Sequence, residues 1–243
     1  MASVCPSVVR TRLIRATRLD DCGVPVVGDN SVVTSKGIIS VALSPQYVDA
    51  EDIQVKNAND ELCVNDLGTP QISTIQAEIT FCGVDPALFT LITGDAVLMD
   101  DATPTPNVIG FKISEGHMPG RVALEMWSNI AGQNCAGGAK AYWYSLLPLL
   151  SNAQWGDVSF ENAEVSFTVT GTTLPGSGWG TGPFDVINTA AGAPSPLLSA
   201  ATVLDHYIGF QTTLAPPDVV CGFQELATVT PPGFVAEQVL EPA

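Results

Sequence analysis

The sequence predicts a mainly β protein: an antiparallel sandwich or barrel with one short α-helix and long loops, folded as a single domain over residues 1–243. Three observations carry this. Between positions 164 and 170, Val165, Phe167 and Val169 alternate with Glu164, Ser166, Thr168 and Thr170, the period of two that marks a strand with one wet face. Residues 73–81 repeat the pattern, with Ile75, Ala77, Ile79 and Phe81 on one side and Gln76, Glu78 and Thr80 on the other. Turn residues punctuate the whole chain, and one stretch alone carries helix start and stop signals.

Composition narrows the function. Charged residues make up 14% and hydrophobic ones 46%, against roughly 25% charged in an average globular protein. A permanent assembly accounts for this, because obligate interfaces resemble core and lose charge at their centres. The formal charge is −16, and four of the nine basic residues (Arg10, Arg12, Arg15 and Arg18) fall in one N-terminal segment. Residues 19–243 therefore hold five basic against 25 acidic groups, or −20. Such a chain repels duplex DNA and anionic membranes. No apolar run approaches the roughly 18 residues of a membrane span, and no signal-peptide core follows the arginines, so the expected site of synthesis is a cytosol. The six cysteines lie 17 to 86 residues apart without a C-x-x-C pair. Zinc is not expected; in a reducing compartment they read as small buried hydrophobes, with disulfides formed after release as the alternative.

Residues 1–35 read as an N-terminal arm. In it, 8–19 is drawn as a strand with Arg10, Arg12, Ile14, Ala16 and Arg18 on one face, or as a short basic helix; its threonines favour strand. The four arginines are candidates to meet carboxylates of a neighbouring subunit. A turn at 20–23 and a Gly- and Pro-punctuated connection follow, and then a strand at 38–43 with both faces partly covered. The acidic turns DAED (49–52) and NANDE (57–61) flank a short strand of Ile53 and Val55 and lack the spacing of a calcium loop. The strand at 73–81 delivers the chain to the helix. Asp85 suits its N-cap, Pro86 its first position and Gly94 its left-handed exit; Leu88, Leu91 and Ile92 fall at helical spacing to pack on the sheet.

TPTPN (103–107) and EGHMPG (115–120) each break the chain before a short strand. A small-residue loop at 129–140 leads into an aromatic strand with Tyr142, Trp143 and Tyr144. Next comes a hairpin over 156–171, Val158 and Phe160 turning at Glu161-Asn162 into the strand described first. Residues 171–200 form a long Gly- and Pro-rich loop, and loops this long are uncommon and usually functional or disordered; Trp179 and Phe184 in it are candidates for contact with another subunit. A last strand, 205–213, precedes a C-terminal tail.

Taken in order, FCGVDPALFTLITG (81–94), AYWYSLLPLLS (141–151), the hairpin, TGTTLPGSGWGTGPF (170–184) and HYIGFQTTLAPPDVVCG (206–222) resemble the major tail protein of long, flexible-tailed phages infecting actinobacteria. The resemblance covers most of the chain. It implies a tail tube subunit of the virion, assembled in the host cytoplasm as hexameric rings of one chain that stack into a tube. Tape measure, terminator and distal tail proteins would be its partners, and double-stranded DNA would pass through without specific binding. Glu164, Ser166, Thr168, Thr170, Gln76 and Glu78 are then the candidates to line the lumen. The expected chain is structural and not an enzyme, with no metal or cofactor: neither His117 nor His206 has a sequence-local partner, and H-E-x-x-H and G-x-S-x-G are absent. GSGWGTG does not fit the phosphate-cradling glycine pattern. Two other classes stay open: a carbohydrate-binding β-sandwich that stacks sugars on Trp143, Trp155 or Trp179, and a capsid decoration protein.

Overall fold

A computed structural model describes residues 6–83, 85–116, 118–131, 140–160 and 165–227. The expected hairpin turn at Glu161-Asn162, most of the 129–140 loop, His117 and the C-terminal tail from 228 lie outside them. The chain runs through β1 (Val8–Arg18), β2 (Gly28–Ser35), β3 (Ile38–Val48), β4 (Ile53–Lys56), β5 (Leu62–Asp66), β6 (Gln71–Cys82), α1 (Pro86–Thr93), β7 (Ala96–Met99) and β8 (Val108–Lys112). It continues through β9 (Val122–Ile130), β10 (Tyr142–Phe160), β11 (Val165–Thr173), β12 (Ile187–Asn188), β13 (Pro194–Ser195), β14 (Ile208–Thr212) and β15 (Gln224–Leu226). One large antiparallel sheet has the order β15-β2-β1-β9-β10-β11-β6-β3, with β14 also on β10. The expected mainly β, antiparallel class with one short helix is the observed one.

The helix forms where its signals stand. Asp85 accepts a hydrogen bond from the Ala87 amide at 3.0 Å, Pro86 opens the first turn, and Gly94 closes it with φ +81°. A side chain at Gly94 would meet the Met118 carbonyl oxygen at 2.1 Å, so the position excludes any other residue. Leu88, Leu91 and Ile92 are buried as expected. The sheet curls about this helix and places Phe89 at the centre of the first core, 4.8 Å from the Trp155 ring, 5.3 Å from Phe167 and 5.4 Å from Phe111.

A second core lies on the other side of the sheet. Leu13, Trp127 and Tyr144 meet Trp179, Val186 and Leu197 there. This corrects the reading of 171–200 as one long loop with Trp179 held out for another subunit. Gly171–Thr173 complete β11, and the rest is laid back on its own sheet by Trp179, 3% exposed, and by bonds such as Gly178 N–H to the Gly23 carbonyl. Its few large apolar residues decide this, since burying a tryptophan outweighs the flexibility of the glycines around it.

Three further expectations are corrected, the first two by pairing between distant segments. Residues 8–35 are not an arm, because β1 and β2 lie inside the sheet, with β1 between β2 and β9. The aromatic strand and the first half of the hairpin are one 19-residue strand, β10. Asn152 at φ +53° and two register shifts bend it, so that its start pairs with β14 and its end with β11. Cys22, Cys63 and Cys221 are exposed and not buried, because they sit on turns and an outlying ribbon.

At the heart of the second core, Arg15 is not available to a neighbour. Its guanidinium makes a two-pronged ion pair with Glu125, Nε to Oε2 at 2.5 Å and Nη2 to Oε1 at 2.6 Å, and lies 3.5 Å from the centre of the Phe184 ring. The Tyr144 hydroxyl donates to Glu125 Oε1 at 2.8 Å. Burial, with the Glu125 carboxylate adding to it, pushes the Tyr144 hydroxyl well above its usual value near 10. The folded chain therefore holds this proton where the unfolded chain releases it, and stability falls as pH rises above about 10. Thermal unfolding at rising pH should show the decline, and Tyr144→Phe should flatten it. An equal slope in that variant would place the loss at another group.

Candidate functional face

The two strands with the cleanest alternation are hydrogen-bonded neighbours. Register sets Phe167 opposite Phe81 and Val169 opposite Ile79 on the core side, and on the other side it sets Ser166 opposite Cys82, Thr168 opposite Thr80 and Thr170 opposite Glu78. On the far edge of β6, β3 adds Ser40 opposite Thr80, Ala42 opposite Glu78 and Ser44 opposite Gln76. On the far edge of β11, Gln154 stands opposite Thr170, and a bulge then sets Gly156 and Asp157 together against Thr168. Because paired residues share a face, four strands build one continuous surface of hydroxyls and amides. Among the residues placed on it by this register, Glu78 and the bulge residue Asp157 are acidic and none is lysine or arginine. Gln76 and Glu78 are exposed, and Ser166, Thr168 and Thr170 half-buried.

Its rigidity comes from behind. Phe167, Val169, Ile79 and Phe81 are all buried in the core that holds α1, so the strands cannot roll without losing that packing.

Glu164 lies outside the described residues. The other five lumen candidates fall on this one face. Sequence reasoning missed the β3 contribution. The expected strand ends at 43 with both faces partly covered, but the observed one runs to Val48, and a register shift between Ile38 and Ser40 resets its phase. The alternation of Ser40, Ala42, Ser44 and Gln46 with Val41 and Leu43 was the available signal.

The inter-subunit candidates divide. Arg15, Trp179 and Phe184 are engaged within their own chain, while Arg10, Arg12 and Arg18 are exposed and, among the described residues, form no ion pair. Of the proposed sugar-stacking tryptophans, Trp179 is core and Trp155 donates its indole N–H to Asp95 at 2.7 Å within the aromatic cluster. Trp143 is half-buried, its indole N–H 3.4 Å from the Tyr207 hydroxyl. His206 finds a partner far along the chain, its Nδ1 lying 2.8 Å from the Thr173 hydroxyl. No described helix is long and apolar enough to cross a membrane. The fold and this face define an antiparallel β protein with one wet, cation-free sheet surface backed by a helix. No protein-family model matches the chain, and no curated protein matches it either.

Proposed function

We propose that the chain is a major tail protein of a long, flexible-tailed phage of actinobacteria, forming hexameric rings that stack into the tube through which duplex DNA leaves the virion. The cation-free polar face of β3, β6 and β11 carries this reading. A conduit for DNA must not hold it, since each lysine or arginine on a phosphate releases counterions and adds affinity. Hydroxyls and amides keep such a wall wet, and a chain of −16 repels the strand at longer range. The free edge of β3, paired among the described strands with β6 alone, offers a row of backbone groups that another copy can pair, closing the wall and removing the edge. Tape measure, terminator and distal tail proteins are the partners this role requires. The chain acts as structure, without catalysis or cofactor.

Negative-stain microscopy of the purified protein tests this. Rings or tubes are the expected result. A monomer retained on a glycan column would overturn it in favour of sugar binding, and small trimers without tubes would favour a decoration protein.

A further inference from the structure

Two exposed features of the chain have opposite charge, and neither is covered by another described segment. The first is the ribbon of β4 and β5, which stands beyond the body between β3 and β6. Register sets Ile53 opposite Asp66 and Val55 opposite Val64, so these side chains share one face, while Gln54 and Asn65, hydrogen-bonded at 3.1 Å, take the other. The apolar face is open among the described residues: Ile53 is 54% and Val64 45% exposed. A two-stranded ribbon is marginal in water unless such a face is packed. Residues 49–66 carry six carboxylates (Asp49, Glu51, Asp52, Asp60, Glu61 and Asp66) against Lys56 alone, which is paired with Asp60 at 2.9 Å.

The second is the first half of β1. Strand β2 pairs only with Ile14–Thr17, so the edge of residues 8–13 away from β9 is paired with no described strand, and Val8 and Val9 are exposed. The register against β9 slips by one residue twice, at Arg10 and again at Arg12. Each arginine is thus the extra residue of a β-bulge, a device that re-aims a side chain. Arg10 takes φ +52°, a left-handed conformation that a long side chain adopts only against its preference. Consecutive bulges turn both cations out beside an apolar edge, on a chain that is otherwise acidic.

We propose that the β4–β5 ribbon of one copy docks on residues 8–12 of β1 in a second copy, with its carboxylates against Arg10 and Arg12 and its apolar face against Val8 and Val9. The contact rests on the reading that the chain assembles with itself, and it says how. Because the two surfaces differ, the contact is heterologous and propagates from copy to copy, which yields closed rings or continuing filaments and not isolated twofold dimers.

Sedimentation of four chains tests it, with circular dichroism confirming the fold of each: wild type, Arg10→Glu/Arg12→Glu, Asp49→Lys/Glu51→Lys/Asp66→Lys, and the chain carrying both sets. Each reversal alone should weaken association at least about tenfold at low salt, and the doubly reversed chain should recover it, because complementary charge suppresses like-charge pairings. Wild-type assemblies that persist unchanged in either single reversal, or a folded double reversal that does not recover, overturn the contact while leaving the tube reading intact. A wild-type chain that stays monomeric at every concentration overturns both.

Discussion

Glu125→Ala is expected to lower the unfolding free energy by about 3–5 kcal/mol, because it strands the Arg15 guanidinium in the second core. Arg15 is 5% and Glu125 0% exposed, so water cannot replace the lost carboxylate without opening the packing of Phe184 and Trp127 around it. Tyr144 would lose its acceptor in the same step. The triple change Arg15→Met/Glu125→Leu/Tyr144→Phe should recover most of the loss, since a buried ion pair replaced by well-packed apolar groups is often no less stable. Urea unfolding of the three chains decides the matter. A loss under about 1 kcal/mol in Glu125→Ala would mean that the pair is solvated and does not hold the 174–201 segment to the sheet.

Placing lysine at Glu78 and Thr170 should leave tubes intact and make them hold DNA. The two positions lie opposite each other on adjacent strands of the wet face, with side chains that contribute nothing to either core. Repeated round every ring, the added cations would bind phosphate, slow or block genome ejection, and retain short duplexes at about 50 mM salt with steep release by about 200 mM. An amine reagent too bulky for the bore should spare both lysines while labelling outer ones. Equal labelling, or free passage of DNA through the substituted tubes, would put this face on the outside.

The helix and the wet face were legible in the sequence because each rests on local rules. Asp85, Pro86 and Gly94 satisfy backbone requirements within one segment of chain, and the alternation in β6 and β11 needs only that one side of a strand be wet. The two bulges of β1 and the bend in β10 were not legible. Each depends on how many residues the facing strand supplies, and an alternating pattern contains no record of its partner's register. The same limit hid β3 beyond residue 43, where the shift after Ile38 moves Ser40, Ala42, Ser44 and Gln46 onto the wet face.

The sequence by itself determined the class of fold, the helix with both its ends, and which side of β6 and β11 faces water. Only the tertiary structure decided that these two strands are neighbours, that Arg15 belongs with Glu125, 110 positions away, and that Trp179 closes the chain's own core. Local patterning fixes which groups want water and which do not; which buried group meets which depends on long-range closure, because a charge taken into the core must find its partner there and the strand that carries it holds no record of where that partner lies.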